Sequence, residues 1–122
     1  MSHQTLKFVI VKHITPQKDI HWDFMLETGD VLGTWRIDIP PEELGEQIAA
    51  AEKIFDHSKK FLTYEGPVNE GKGSVCIAES GTYEVISEDD RRLLLDLKGA
   101  IVKGRFGLRK KTENEWELSA VF

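Results

Sequence analysis

A chain of 122 residues is near the common size of one domain: it can bury a single core and has no room for two. Its 40% apolar and 30% charged residues describe an ordinary folded globule, and no apolar run reaches the length that a membrane helix needs. The net charge of −5 argues against a protein that coats nucleic acid through overall charge, and a single cysteine excludes an internal disulfide or a thiolate-rich zinc site. The opening MSHQTLKFVIVKH carries no basic leader followed by a long apolar stretch and a cleavage site, so a soluble, cytoplasmic domain spanning 1–122 is expected.

Residues 6 to 12, LKFVIVK, form a short β-rich apolar run and predict a strand. A loop follows over Thr15 to Asp19, with Pro16 in it. From Ile20 to Glu27 the chain alternates: Ile20, Trp22, Phe24 and Leu26 fall on one side, His21, Asp23, Met25 and Glu27 on the other. Gly29-Asp30 then turns the chain into a hairpin with Val31 to Ile37. Pro40-Pro41-Glu42-Glu43 resembles a helix start, with an early proline and carboxylates facing the positive end of the dipole. Leu44, Ile48, Ala51 and Phe55 repeat at helical spacing, so one amphipathic helix from about 41 to 55 is predicted to cover a sheet. Strand-like runs follow at Phe61 to Tyr64, Ser74 to Ala78, Thr82 to Ile86, Leu93 to Leu97, Ala100 to Leu108 and Trp116 to Val121, punctuated by Gly66-Pro67, Gly71 to Gly73, Gly81 and Lys98-Gly99. Many short strands with one helix predict a mainly β fold, a small barrel or sandwich. Cys76, within Ser74-Val75-Cys76-Ile77, reads as a buried and inert thiol.

Residues two apart on a strand project from one face about 7 Å apart, so His21 and Asp23 can converge on one ion. His13, just past the end of the preceding strand, supplies a third ligand if the two strands are neighbours. Two imidazoles and a carboxylate, with positions left for water or substrate, suit phosphoester chemistry on a divalent metal. By spacing alone, H-x-D on an exposed strand reads as two solvated polar residues. His57, after Asp56, reads either as a helix-end packing residue or as a phosphate-binding group or general acid oriented by Asp56. Gly66 to Gly73 nearly spells a phosphate loop, but no Ser or Thr follows Lys72 and the next segment reads as a strand, so triphosphate binding is rejected in favour of a flexible or substrate-flanking loop. Residues 98 to 111, KGAIVKGRFGLRKK, hold six basic residues and no acidic one. Alternation gathers Lys103, Arg105, Arg109 and Lys111 on one strand face, opposite Val102, Phe106 and Leu108. Such a face either tracks a nucleic-acid backbone or is simply the solvated outside of a barrel.

In order along the chain, FVIVKH, HWDFMLE, DVLGTW, the DH pair, YEGPVNEGKG and LKGAIVKGRFGL resemble the 3′-phosphoesterase domain found in bacterial and archaeal DNA ligase D and as stand-alone proteins. The resemblance covers nearly the whole chain. It implies a small β barrel with one or two flanking helices and a hydrolase that trims 3′-phosphates and 3′-terminal ribonucleotides from DNA or RNA primer ends. Mn²⁺ is the implied ion, with Zn²⁺ or Co²⁺ as alternatives, and a DNA ligase or other repair protein is an implied partner. Carried over, His13, His21 and Asp23 match the family's metal ligands and His57 its phosphate-contacting histidine. Lys103, Arg105 and Arg109 are then expected to help hold the substrate.

Several departures accompany the likeness. Family members usually read H-x-D-F-R-L-E, and Met25 stands here in place of the phosphate-gripping arginine; methionine offers phosphate no charge-assisted hydrogen bond. Phe61 stands where a tyrosine is expected, an arginine of the predicted helix region is replaced by alanine, and the stretch from His13 to His21 is two residues longer. A phosphoesterase is therefore expected first. The rivals are a catalytically impaired relative that binds nucleic-acid ends or a repair partner, and a small-molecule-binding barrel with structural histidines.

Overall fold

The computed structural model describes residues 5–68 and 70–121, which leaves Asn69 of the glycine-rich loop outside the described residues. Nine antiparallel strands make one sheet: β1 (Leu6–Ile14), β2 (Ile20–Thr28), β3 (Val31–Ile37), β4 (Ala49–Ser58), β5 (Gly66–Pro67), β6 (Ser74–Glu88), β7 (Arg92–Gly99), β8 (Lys103–Lys110) and β9 (Glu115–Ala120). Neighbours run β1-β2-β3-β4-β9-β8-β7-β6, and β6 returns to pair with β1, so eight strands close into a barrel with the short β5 hung on β6. Closure satisfies the edges that an open sheet would expose. Among the described residues no helix is long and apolar enough to cross a membrane.

The first two strands explain why the site sits where it does. Phe8 to Val11 are an unbroken apolar run because β1 is covered on both faces there. Phe8 and Ile10 point into the barrel with Phe24, Leu26, Trp35, Leu97 and Phe106, whereas Val9 and Val11 point outward and join Met25, Leu32 and Val75. The segment after β4 folds over this outer cluster, packing Phe61, Leu62, Tyr64 and Val68 against it. Full burial of an apolar side chain such as Val9, Val11, Met25 or Leu32 contributes about 1.5–3 kcal/mol, so the outer cluster is a second small core. On β2, Trp22, Phe24 and Leu26 face inward as the alternation predicts. Ile20 lies beyond the filled interior and is exposed.

The predicted helix over 41–55 does not form. Pro41 starts only a 3-10 turn, Pro41–Glu43, and Ala49–Ser58 is the barrel strand β4. Leu44 and Ala51 are buried, but Ile48 and Phe55, the other members of the helical stripe, are 65% and 74% exposed. Ala51 instead faces Ile37 of β3 and Trp116 of β9. Closing the barrel between β3 and β9 requires this strand, and that non-local pairing outweighs the local helical spacing. The one or two flanking helices expected are absent among the described residues, where the helical segments are two 3-10 turns, Pro41–Glu43 and Lys59–Leu62, the latter where a strand over Phe61 to Tyr64 was predicted.

Two further expectations are corrected. The runs at Ser74 to Ala78 and Thr82 to Ile86 are one bent strand, because Gly81 is not a turn: it lies against β7, where a Cβ would collide with the Lys98 carbonyl oxygen. Strand β8 begins at Lys103 and not at Ala100, since buried Glu79 accepts backbone hydrogen bonds from Ala100 (3.1 Å), Ile101 (2.6 Å) and Val102 (2.6 Å) and holds them in a turn. Cys76 is exposed, not buried. Its neighbour Val75 takes the outer cluster, leaving Cys76 on the other face opposite Lys12, where the apolar filling has ended.

Candidate metal centre

The pairing of β1 with β2 sets His13 directly opposite His21 and Val11 opposite Asp23. Because Val11 faces outward, all three polar side chains stand on the outside of the barrel beside the second core. His13 Nδ1 and His21 Nε2 are 3.0 Å apart, and Asp23 Oδ2 is 3.8 Å from His21 Nε2. One donor atom from each residue falls within 4.8 Å of the other two.

A backbone carbonyl also takes part in this arrangement. His13 Nε2 donates to the carbonyl oxygen of Lys72 at 2.8 Å, which fixes the tautomer and leaves the Nδ1 lone pair facing His21. The Lys72 carbonyl is held by a tight loop: Lys72 N donates to Val68 O (3.2 Å) and Val68 N to Gly73 O (3.0 Å). Gly73 has φ +97°, and a Cβ there would strike the Ile14 carbonyl oxygen, so only glycine lets the loop lie against the end of β1. The near phosphate-loop sequence thus orients His13.

Three observations fit a divalent cation. Asp23 is only 4% exposed, and its Oδ1 is buried with no hydrogen-bond partner, a costly condition for a carboxylate unless a cation takes it. Two nitrogens each about 2.1 Å from one ion stand about 3.0 Å apart when their bonds meet at a right angle, which is the spacing of the His13–His21 pair. The imidazole of His21 is pushed below its ordinary value of 6.5: burial lowers it most, Asp23 pulls it back, and Arg36 and His13 lower it further. A neutral ring keeps a lone pair for coordination.

The remaining predicted residues lie elsewhere. His57 on β4 is opposite Leu32, an outer-cluster residue, so it shares the triad's face but sits two strands from β2. Its Nδ1 donates to the Phe55 carbonyl (3.0 Å), and its ring lies between Phe55, stacked at 4.8 Å, and Phe61, edge-on at 5.6 Å. The expected orienting role of Asp56 is not seen; Asp56 pairs with Lys53 at 3.6 Å. Lys103, Arg105 and Arg109 do face outward, opposite core residues Phe106 and Leu108. They stand on β8, four strands from β2 in either direction round the barrel, on the wall across from the triad. Arg109 is also bound to Glu117 at 2.7 Å, which Lys111 approaches at 3.4 Å.

Arg36 escaped the sequence reading. It faces Asp23 across the β2–β3 hairpin, with Nε 3.6 Å from Oδ1. The signal was present: the turn at Gly29-Asp30 sets Thr28 opposite Val31, and counting back along both strands brings Asp23 to Arg36. Met25, by contrast, is buried in the outer cluster with Val9, Val11 and Leu32.

Comparison with known proteins bears on the same chemistry. The chain is 29% identical over 119 residues to the multifunctional non-homologous end joining DNA repair protein LigD of Mycobacterium tuberculosis (strain ATCC 25618 / H37Rv), a match covering 89% of this chain and 15% of that protein. It is 28% identical over 127 residues to the multifunctional non-homologous end joining protein LigD of Mycolicibacterium smegmatis, covering 90% of this chain and 16% of the relative. The chain therefore corresponds to a small part of the length of these relatives. The family model described as the DNA Ligase D 3′-phosphoesterase domain matches residues 11–110, a span that contains the triad, the Lys72 loop, His57 and the basic strand, and the chain belongs to that family.

Proposed function

We propose that this domain is a divalent-metal-dependent phosphoesterase that processes 3′ ends of nucleic acid, removing a 3′-phosphate or a 3′-terminal ribonucleotide. The observation that carries the reading is the convergence of His13 Nδ1, His21 Nε2 and the Asp23 carboxylate, whose buried Oδ1 has no hydrogen-bond partner, in a chain of this family. His13, His21 and Asp23 would hold the ion, with Mn²⁺ the expected metal and Zn²⁺ or Co²⁺ the alternatives. Bound there, the ion would neutralise phosphate charge and lower the pKa of a water. The Lys72 carbonyl keeps His13 aligned, and burial favours the neutral form of His21. His57 donates Nδ1–H to the Phe55 carbonyl, so it would meet a phosphate oxygen on the same face as an imidazolium, donating Nε2–H. The relatives' role in non-homologous end joining supports DNA ends under repair as the substrate and a ligase as the consumer of the cleaned 3′ end.

Burial of Met25 favours a second reading, an impaired relative that binds ends without cutting them, because the usual phosphate-gripping arginine has given way to a core side chain. The test is release of phosphate or nucleoside from 3′-phosphate and 3′-ribonucleotide primer-templates with Mn²⁺, wild type against His21→Ala. Release that vanishes in the variant supports the enzyme. Equal, negligible release from both, with end binding retained, makes the binding module the better account.

A further inference from the structure

We propose that Arg36 is the phosphate-binding cation of this site, reaching the substrate from β3 where residue 25 of β2 cannot. The inference rests on the phosphoesterase reading and adds a residue to it. Among the described residues Arg36 is the one lysine or arginine whose side chain reaches the Asp23 carboxylate. The approach is loose: Nε and Oδ1 stand 3.6 Å apart, and neither atom has a hydrogen-bond partner. A guanidinium placed there only to neutralise a buried acid would be expected to close a forked, bidentate pair at shorter range.

The rest of the side chain points to the same role. Arg36 is 42% exposed, so its Nη end meets solvent while Nε is covered. It lines a groove of about 460 Å³ together with His21, Ile20, Ile37, Ala51 and Trp116. Most of the other charged residues of that groove are acidic, so an anion is best held at the end formed by Arg36 and His21. Two other cations of this side of the barrel are committed: Lys53 donates to the Ile54 carbonyl and pairs with Asp56, and Lys59 pairs with Glu27. Among the described residues Asp23 is the one carboxylate within 4 Å of Arg36, with Glu52 opposite it across β3–β4 as the next acid. Once Asp23 gives its charge to a metal, Arg36 turns its fork to the non-bridging oxygens of a phosphate lying between the triad and the groove.

The test uses the full chain with Mn²⁺ and a short fluorescent DNA strand ending in a non-hydrolysable 3′-methylenephosphonate or in a 3′-hydroxyl, with affinities read by anisotropy. Wild type prefers the phosphonate end. Arg36→Gln cuts that preference about tenfold or more, the worth of one charge-assisted contact, and Arg36→Lys restores part of it. The rise in melting temperature with Mn²⁺ persists in both variants. Full preference in a folded Arg36→Gln protein overturns the proposal; so does loss of the Mn²⁺ effect in that variant, which would make Arg36 a support for Asp23 only. The two readings fail separately. Arg36-dependent preference in a protein that releases no phosphate defeats the hydrolase and keeps the cation, whereas release unchanged in Arg36→Gln defeats the cation and keeps the hydrolase.

Discussion

Replacing Gly73 by alanine should weaken the proposed metal centre without touching any of the three residues proposed to hold the ion. Gly73 sits at φ +97°, and a Cβ there meets the Ile14 carbonyl oxygen and the Thr15 Cα, both backbone atoms that cannot swing away. Gly71, two residues earlier, also has a positive φ (+84°) but open space around its missing Cβ. Gly71→Ala therefore pays conformational strain alone, about 1–2 kcal/mol. Gly73→Ala carries the same strain and must also push the loop from the end of β1. That shift moves the Lys72 carbonyl from His13 Nε2, a 2.8 Å hydrogen bond whose loss frees the imidazole to rotate and change tautomer. Outer-sphere partners of this kind are worth about 10- to 100-fold in metal affinity. Calorimetric titration of Mn²⁺ into the two variants and wild type should thus give near-normal affinity for Gly71→Ala and a loss in that range for Gly73→Ala. Equal affinities for the two alanine variants, both folded, would refute the claim that the loop orients His13.

Three further outcomes follow from the geometry. His21 titrates below 6.5 in the folded protein, so its neutral form is favoured by folding; the stability this gives is complete above the unfolded value of 6.5 and falls away as pH drops through the lower folded value. Thermal melts should show the Mn²⁺-induced rise shrinking over that acid interval and surviving above it, and a rise that grew towards acid pH would contradict the assignment. Glu79→Gln keeps the shape but removes the charge that accepts from the Ala100, Ile101 and Val102 amides, and urea unfolding should report a loss of about 2–4 kcal/mol. Replacing Lys103 and Arg105 with alanine, on the wall across from the triad, should leave Mn²⁺ affinity and the turnover of saturating substrate unchanged. If that wall tracks a single strand, the slope of log K against log salt should fall by about 0.7 for each phosphate that the wall no longer neutralises.

How far the sequence could be read depended on whether neighbours in the chain were also neighbours in space. The β1–β2–β3 meander was legible because its alternation, its five-residue loop and its Gly29-Asp30 turn are local, and the same locality brought His13, His21 and Asp23 together in prospect. Strand β4 was not legible. Leu44, Ile48, Ala51 and Phe55 satisfy a helical period, and it is pairing with both β3 and the distant β9, whose Trp116 faces Ala51, that gives the segment a reason to extend. Cys76 was misplaced for a related reason: its strand is real, but which face of β6 is covered depends on the return of residues 59–68 over β1. The role of Lys72 was hidden because it acts through a main-chain oxygen, so no side-chain motif advertises it. Arg36 was within reach of register counting, whereas the wall occupied by Lys103, Arg105 and Arg109 is defined only once the barrel closes.

The central claim is that His13, His21 and Asp23 form one divalent-ion site, and the most direct measurement is anomalous diffraction from crystals soaked in Mn²⁺. The account predicts one strong peak bonded to His13 Nδ1, His21 Nε2 and an Asp23 carboxylate oxygen, absent from His21→Ala crystals treated alike. A well-ordered triad with no peak, or a peak that persists in His21→Ala, would contradict it.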